Sequence, residues 1–262
     1  MKSSVNHQKQ LAHLRRDPVM KALIKRLPAV SHDWYGAPRR DHFRALVVAI
    51  VNQQLSGKAA ATILARFIAL FPRTPSGNKS RSLPADFGSE ASGPSRNSSK
   101  YSFVGPDASR SKSTRNSVAP ISGRDSKKFP QPEDVLKMSV PKMRKAGLSK
   151  MKVSFLKDLS RHVIAGTVDF KKMKKMDDAE VIDHLICVKG IGRWTAEMFL
   201  MFSLRREDIF SYGDLGLRNA MRTQYGLRKH PTEQEAAKIS AAWVPYRTLA
   251  SLYLWASVDN KE

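Results

Sequence analysis

Cysteine is almost absent from this 262-residue chain, with Cys187 the only one. A single thiol excludes a disulfide framework, a cysteine-rich structural zinc site and an iron–sulfur cluster held by four thiolates. Acidic residues are scarce too, 23 against 46 lysines and arginines, for a net charge of +23. A surplus of that size points to a polyanionic partner, either nucleic acid or an acidic membrane face. No apolar run reaches the roughly 18 residues of a membrane span. The opening residues, MKSSVNHQKQLAHLRRD, also lack the apolar stretch of a secretory signal. The expectation is a reduced, intracellular, soluble protein. Sustained period-2 alternation and tandem repeats are missing as well, so the expected fold class is all-α. What is present is 41% hydrophobic residues, including four Trp and eleven Phe, enough to build a core.

One segment stands apart. Residues 73–130 hold 15 serines, 11 basic and 4 acidic residues, with scattered apolar positions and no helical or strand period. Burial there could not offset the entropy of ordering the chain, which predicts a disordered insert. The remaining residues keep a charge of +16, so the folded part is basic in its own right. The expected organisation is amino-terminal helices over 1–72, the insert over 73–130 and a helical core over 131–258. Within 42–70, two apolar blocks flank the polar stretch from Asn52 to Gly57, which predicts two helices meeting at a break. Further helices are expected over 132–146, 150–165, 178–188, 232–243 and 246–258. Asp177 with Glu180, and Thr232 with Glu235, have the spacing of capping boxes.

The segment 185–202, LICVKGIGRWTAEMFLMF, is the most informative. An apolar helix end meets Lys189, Gly190, Ile191 and Gly192, and an amphipathic helix resumes near Arg193. Two glycines around one apolar residue allow a tight turn, with Ile191 plugging the gap between the helices. The turn amides and the following helix start then form an anion site that fits a phosphate and ignores base identity. An ordinary corner between two helices is the plainer alternative. Asp214 has two readings as well, as a helix N-cap for 215–225 or as a functional carboxylate.

VKGIGRWTAEMFLMF followed by DIFSYGDLGLRNA resembles the helix-hairpin-helix–Gly/Pro–Asp (HhH-GPD) motif of the DNA glycosylase superfamily. Three more segments are similar to its 3-methyladenine DNA glycosylase II branch: AIVNQQLSGKAAATI at 49–63, RKAGLSKMKVSFLKDL at 144–159 and WVPYRTLASLYLW at 243–255. The resemblance implies a glycosylase fold of two helical subdomains with the active site between them, and a hairpin at 188–193. It implies a monofunctional DNA glycosylase that hydrolyses the N-glycosidic bond of alkylated purines, of the 3-methyladenine or 7-methylguanine type, by base flipping in base excision repair. A non-catalytic protein that binds the DNA backbone through its hairpin, and a glycosylase/lyase for oxidised bases, are the alternatives.

The same resemblance assigns residues. Asp214 stands at the position of the family's essential aspartate, although Tyr212-Gly213 departs from the usual Pro or acidic residue before it. Trp194 occupies the place where strand-cutting relatives carry a Schiff-base lysine, which implies no lyase step. Trp194, Trp255, Tyr212, Trp34 and Tyr35 are the expected walls of a pocket that stacks on a cationic base. Core packing is the rival role for Trp194. Gln53, Gln54, Leu55 and Ser56 are expected at the minor groove, with Gln54 inserting into the base stack, or else simply stabilising a helix junction. Lys189, Gly190, Ile191, Gly192, Arg193, Lys58 and Lys152 are the candidate phosphate ligands. The run from Lys171 to Lys175 reads as a solvated face or a nuclear signal. No cofactor or metal is required, though in this superfamily hairpin carbonyls can hold Na+ or K+. The expected partner is double-stranded DNA, bound by a monomer with no role for membrane, in the nucleus of a eukaryote or otherwise in the cytoplasm or nucleoid.

Overall fold

A computed structural model describes residues 2–27, 30, 41–71 and 129–259. Among these it shows thirteen α-helices and no strand, as expected of an all-α chain. Most of the serine-rich insert lies outside the described residues. Its far boundary moves, however, because Phe129 and Pro130 are buried rather than part of the insert. The Arg44 guanidinium lies over the Phe129 ring at 5.3 Å, a cation–π contact that anchors the chain as it enters the core.

Helices α1 (Lys2–Leu14) and α2 (Pro18–Arg26) open the fold. Asp17 caps α2 by accepting the amides of Val19 and Met20, and Pro18 starts the helix where no intrahelical N–H is needed. The expected pair over 42–70 forms as α3 (His42–Asn52) and α4 (Gly57–Ala69). The helix expected over 132–146 divides into α5 (Pro132–Lys137) and α6 (Val140–Lys145). Pro141 is the cause, since it lacks an N–H and its ring would strike the carbonyl of Lys137 in a continuous helix. There follow α7 (Lys150–Ile164), α8 (Phe170–Met173) and α9 (Asp178–Ile186), the last opened by the Asp177/Glu180 capping box.

After the hairpin, α10 (Arg193–Phe199) runs into a π-helical turn at Leu200–Leu204, which Arg205 ends in the left-handed region at φ 59°. Helices α11 (Leu215–Gln224), α12 (Glu233–Ser240) and α13 (Arg247–Asp259) complete the chain. The Thr232/Glu235 box caps α12, which tightens into a 3-10 turn at Ala241–Trp243.

The core wraps α13. Leu249, Ala250, Leu252, Tyr253, Leu254, Trp255 and Ala256 are all buried, so this helix is apolar around most of its circumference. Its hydroxyls turn back onto main-chain carbonyls, Ser251 onto Arg247 and Ser257 onto Leu254. Packing against α11 and α2 then covers the remaining faces. A second tie spans the chain: the Asp17 carboxylate also accepts Tyr225 Oη at 2.8 Å and Trp243 Nε1 at 3.1 Å. Burial, then that carboxylate, push the Tyr225 hydroxyl far above the ordinary phenol range.

Candidate active site

Asp214 is the residue before α11, and its side chain does two jobs. Its Oδ1 accepts the Leu217 amide at 2.7 Å, an N-cap that ties the carboxylate to the positive end of the helix. The same oxygen accepts Trp255 Nε1 at 3.0 Å, while Oδ2 accepts Trp194 Nε1 at 2.8 Å. Cap and functional carboxylate are therefore compatible readings of one side chain. The two indoles arrive from different helices, Trp194 from the first turn of α10 and Trp255 from α13. Asp214 is only 3% exposed, so its charge sits in a poorly solvated setting where fixed dipoles count for more than in water.

Trp194 and Trp255, expected as stacking walls, both turn their N–H edges onto the carboxylate. Trp255 is buried, with Phe202 beside it at a ring distance of 6.1 Å, whereas Trp194 is half-buried. Tyr212 faces elsewhere: its ring packs edge-on to Phe210 at 5.0 Å and its hydroxyl meets Ser240 and Arg247, each at 3.4 Å. Trp34 and Tyr35 lie outside the described residues.

Behind the carboxylate, the 208–214 loop is pinned twice. Arg247 grips Asp208 through both carboxylate oxygens, Nε at 2.7 Å and a terminal nitrogen at 2.9 Å, and this bidentate pairing raises the arginine above its usual range. Ser211 donates to buried Glu197, which also receives Arg193 Nε at 3.0 Å. Glu197 thus couples the hairpin end of α10 to the loop that presents Asp214. Sequence reasoning passed over it, although a carboxylate inside the apolar run WTAEMFLMF is itself a signal of a buried partner.

The hairpin folds as expected. Gly190 takes φ 83°, and a Cβ there would stand 2.2 Å from the Phe155 ring. Ile191 is 3% exposed and fills the turn. Not every turn amide points outward, because Lys189 N donates to Asp158 Oδ2 at 2.9 Å and Ile191 N to Val188 O at 3.1 Å. Gly192 caps α10 with extended backbone, so the first amides of the helix are those with no carbonyl one turn behind them. The side chains of Lys189, Arg193 and Lys58 are exposed around the turn and α4. The Val188 and Gly190 carbonyls each accept one N–H and keep a second lone pair. Neutral oxygens of this kind suit a hard monovalent cation.

Asp158 was not anticipated. It is buried on α7, with Arg161 at 3.2 Å and His162 at 3.7 Å beside it. A lone acid on the apolar period of a basic helix is the trace it leaves in the sequence. Lys152, expected on a phosphate, is instead turned inward, where Nζ donates to the carbonyls of Val51 at 2.8 Å and Gln53 at 2.7 Å. It satisfies the end of α3, and burial lowers its pKa.

At the break after α3, Gln54 is exposed in the left-handed region at φ 57°, Leu55 is half-buried and Ser56 is exposed. Gln53 departs from the expected groove contact, for its Nε2 donates to Gly190 O at 2.7 Å.

The family model for the HhH-GPD superfamily base excision DNA repair protein matches residues 107–246. DNA-3-methyladenine glycosylase 1 of Schizosaccharomyces pombe is 40% identical over 128 residues, 48% of this chain and 56% of that one. The chain thus matches little more than half the length of this curated relative. The solved structure of Schizosaccharomyces pombe 3-methyladenine DNA glycosylase (Mag1) in complex with abasic DNA superposes with a TM-score of 0.66 at 28% identity, covering 96% of this chain and 97% of that one. A DNA-3-methyladenine glycosidase from Bacillus halodurans does so with a TM-score of 0.62 at 27% identity, covering 94% and 91%.

Proposed function

The chain belongs to the HhH-GPD superfamily of base excision DNA repair proteins, and from that premise we propose that it is a monofunctional DNA glycosylase that removes alkylated purines from duplex DNA. One observation carries the proposal: a buried carboxylate, Asp214, held by two indole N–H groups and a helix amide, one of the indoles coming from the first turn after the hairpin. Cleaving the N-glycosidic bond leaves positive charge on the deoxyribose, in an oxocarbenium-like transition state. A fixed carboxylate stabilises that charge and orients the attacking water without having to reorganise during the reaction. Methylation at purine N3 or N7 makes the base cationic and a better leaving group, so little acid assistance is needed. The group at the post-hairpin position is the indole of Trp194 and not an amine, which supports hydrolysis without a Schiff base.

In the same proposal the hairpin turn and the start of α10, with exposed Lys189 and Arg193 nearby, hold a backbone phosphate. Exposed Gln54 fills the space left by the rotated nucleotide, whose flipping costs a few kcal/mol. The test is release of methylated base from duplex DNA by the full chain. Asp214→Asn places an amide N–H against donors that need an acceptor, and is expected to lower the single-turnover rate by about 100-fold or more. Binding to an abasic duplex serves as the control for folding. Base release by the wild-type chain accompanied by borohydride-trappable strand nicking would instead indicate a lyase.

A further inference from the structure

Two surfaces must meet DNA together under this proposal: the loop at 54–56, which enters the stack, and the hairpin, which holds the backbone. They come from sequence positions more than a hundred residues apart, so something must set their spacing. Gln53 is the covalent neighbour of the first and the hydrogen-bond partner of the second, through Nε2 to Gly190 O at 2.7 Å. Its own carbonyl is held in turn by Lys152 Nζ at 2.7 Å. Lys152, Phe155 and Asp158 succeed one another at three-residue intervals along α7, which puts them on neighbouring turns of that helix. The first holds the end of α3, the second lies against Gly190, and the third takes the Lys189 amide.

We propose that Gln53 is a positioning residue, and that its carboxamide locks the inserting loop to the hairpin at a fixed spacing against α7. The inference rests on the glycosylase reading and adds a role that is neither catalysis nor DNA contact. The lock matters for rotating a base out of a paired duplex, where the inserting side chain must arrive while the backbone is held. It matters little once the base is already unpaired.

Gln53→Met keeps the length of the side chain and removes the donor, and Gln53→Ala removes both. Each full-length variant is compared with wild type on 7-methylguanine, in one duplex paired with cytosine and in another placed opposite a one-nucleotide gap, at saturating DNA and single turnover. A 2-aminopurine beside the lesion reports flipping by its fluorescence. The expected result is about a tenfold loss of rate and of flipping amplitude on the paired substrate, the scale of one lost hydrogen bond. On the gapped substrate the loss should stay below about twofold. Equal losses on both substrates, or no loss on either in Gln53→Met, overturn the inference. Failure of the wild-type chain to release either 7-methylguanine or 3-methyladenine from duplex DNA would overturn the glycosylase reading instead, so the two failures are distinguishable.

Discussion

Gln54 holds φ 57°, a backbone conformation that costs an L-residue roughly 1–2 kcal/mol and that glycine adopts freely. Strain retained at an exposed polar residue suggests that its side chain is needed where it stands. Gln54→Gly is therefore expected to leave the melting temperature unchanged or slightly higher while base release from paired DNA falls by about tenfold. Gly190 is the opposite case. Gly190→Ala combines a positive φ with a Cβ 2.2 Å from Phe155, and denaturant titration should show a loss of about 2–4 kcal/mol. At Trp194 and Trp255 the N–H can be separated from the ring. Changing either to Phe keeps most of the apolar surface and deletes one donor to Asp214. The single-turnover rate should fall by about tenfold or more with little change in affinity for an abasic duplex. Equal losses in rate and affinity would mean that the ring, and not the hydrogen bond, is what matters.

At the scale of elements, α7 carries the residues that join the hairpin to the rest of the fold. Asp158→Ala leaves the Lys189 amide without its acceptor, whereas Asp158→Asn keeps an oxygen for it. The alanine variant should lose DNA affinity several-fold and the asparagine variant should recover most of it. Helix α3 begins at His42, whose ring lies against Phe170 and Phe199 and whose Nδ1 is 3.0 Å from Ser203 Oγ. Burial first, and the nearby Lys174 second, lower the His42 pKa below its usual 6.5, with Asp41 opposing them. The folded state thus prefers the neutral ring. This contribution to stability is complete above pH 6.5 and is lost as the pH falls through the lower folded value. Thermal melts across that window should show the slope, and His42→Gln should flatten it.

Over the whole molecule, Asp17 links the amino-terminal helices to Tyr225 and Trp243 near the other end of the chain. Asp17→Ala removes the cap of α2 and both long-range bonds, and should cost about 2–4 kcal/mol by denaturant titration. The net charge of +23 acts at the same scale. If four to six phosphates are neutralised, log affinity against log salt should fall with a slope of about −4 to −5. A flat response would leave the basic surface without a role in binding.

Several helices were legible because their signals are local: capping boxes at Asp177 and Thr232, the polar break from Asn52 to Gly57, and the glycines that let the hairpin turn. Asp214 and the tryptophans could be singled out through motif order. Their geometry could not, because the three residues span α10, α11 and α13 and meet only when those helices pack. The inward turn of Lys152, the bridge from Gln53 to Gly190 and the hold of Asp158 on Lys189 were invisible for the same reason. A sequence records the type and spacing of side chains along one dimension, which is enough to specify periodic backbone and its punctuation. Which donor faces which acceptor across a hundred residues is decided only by the core, where a buried polar group must find a partner or lose its share of stability.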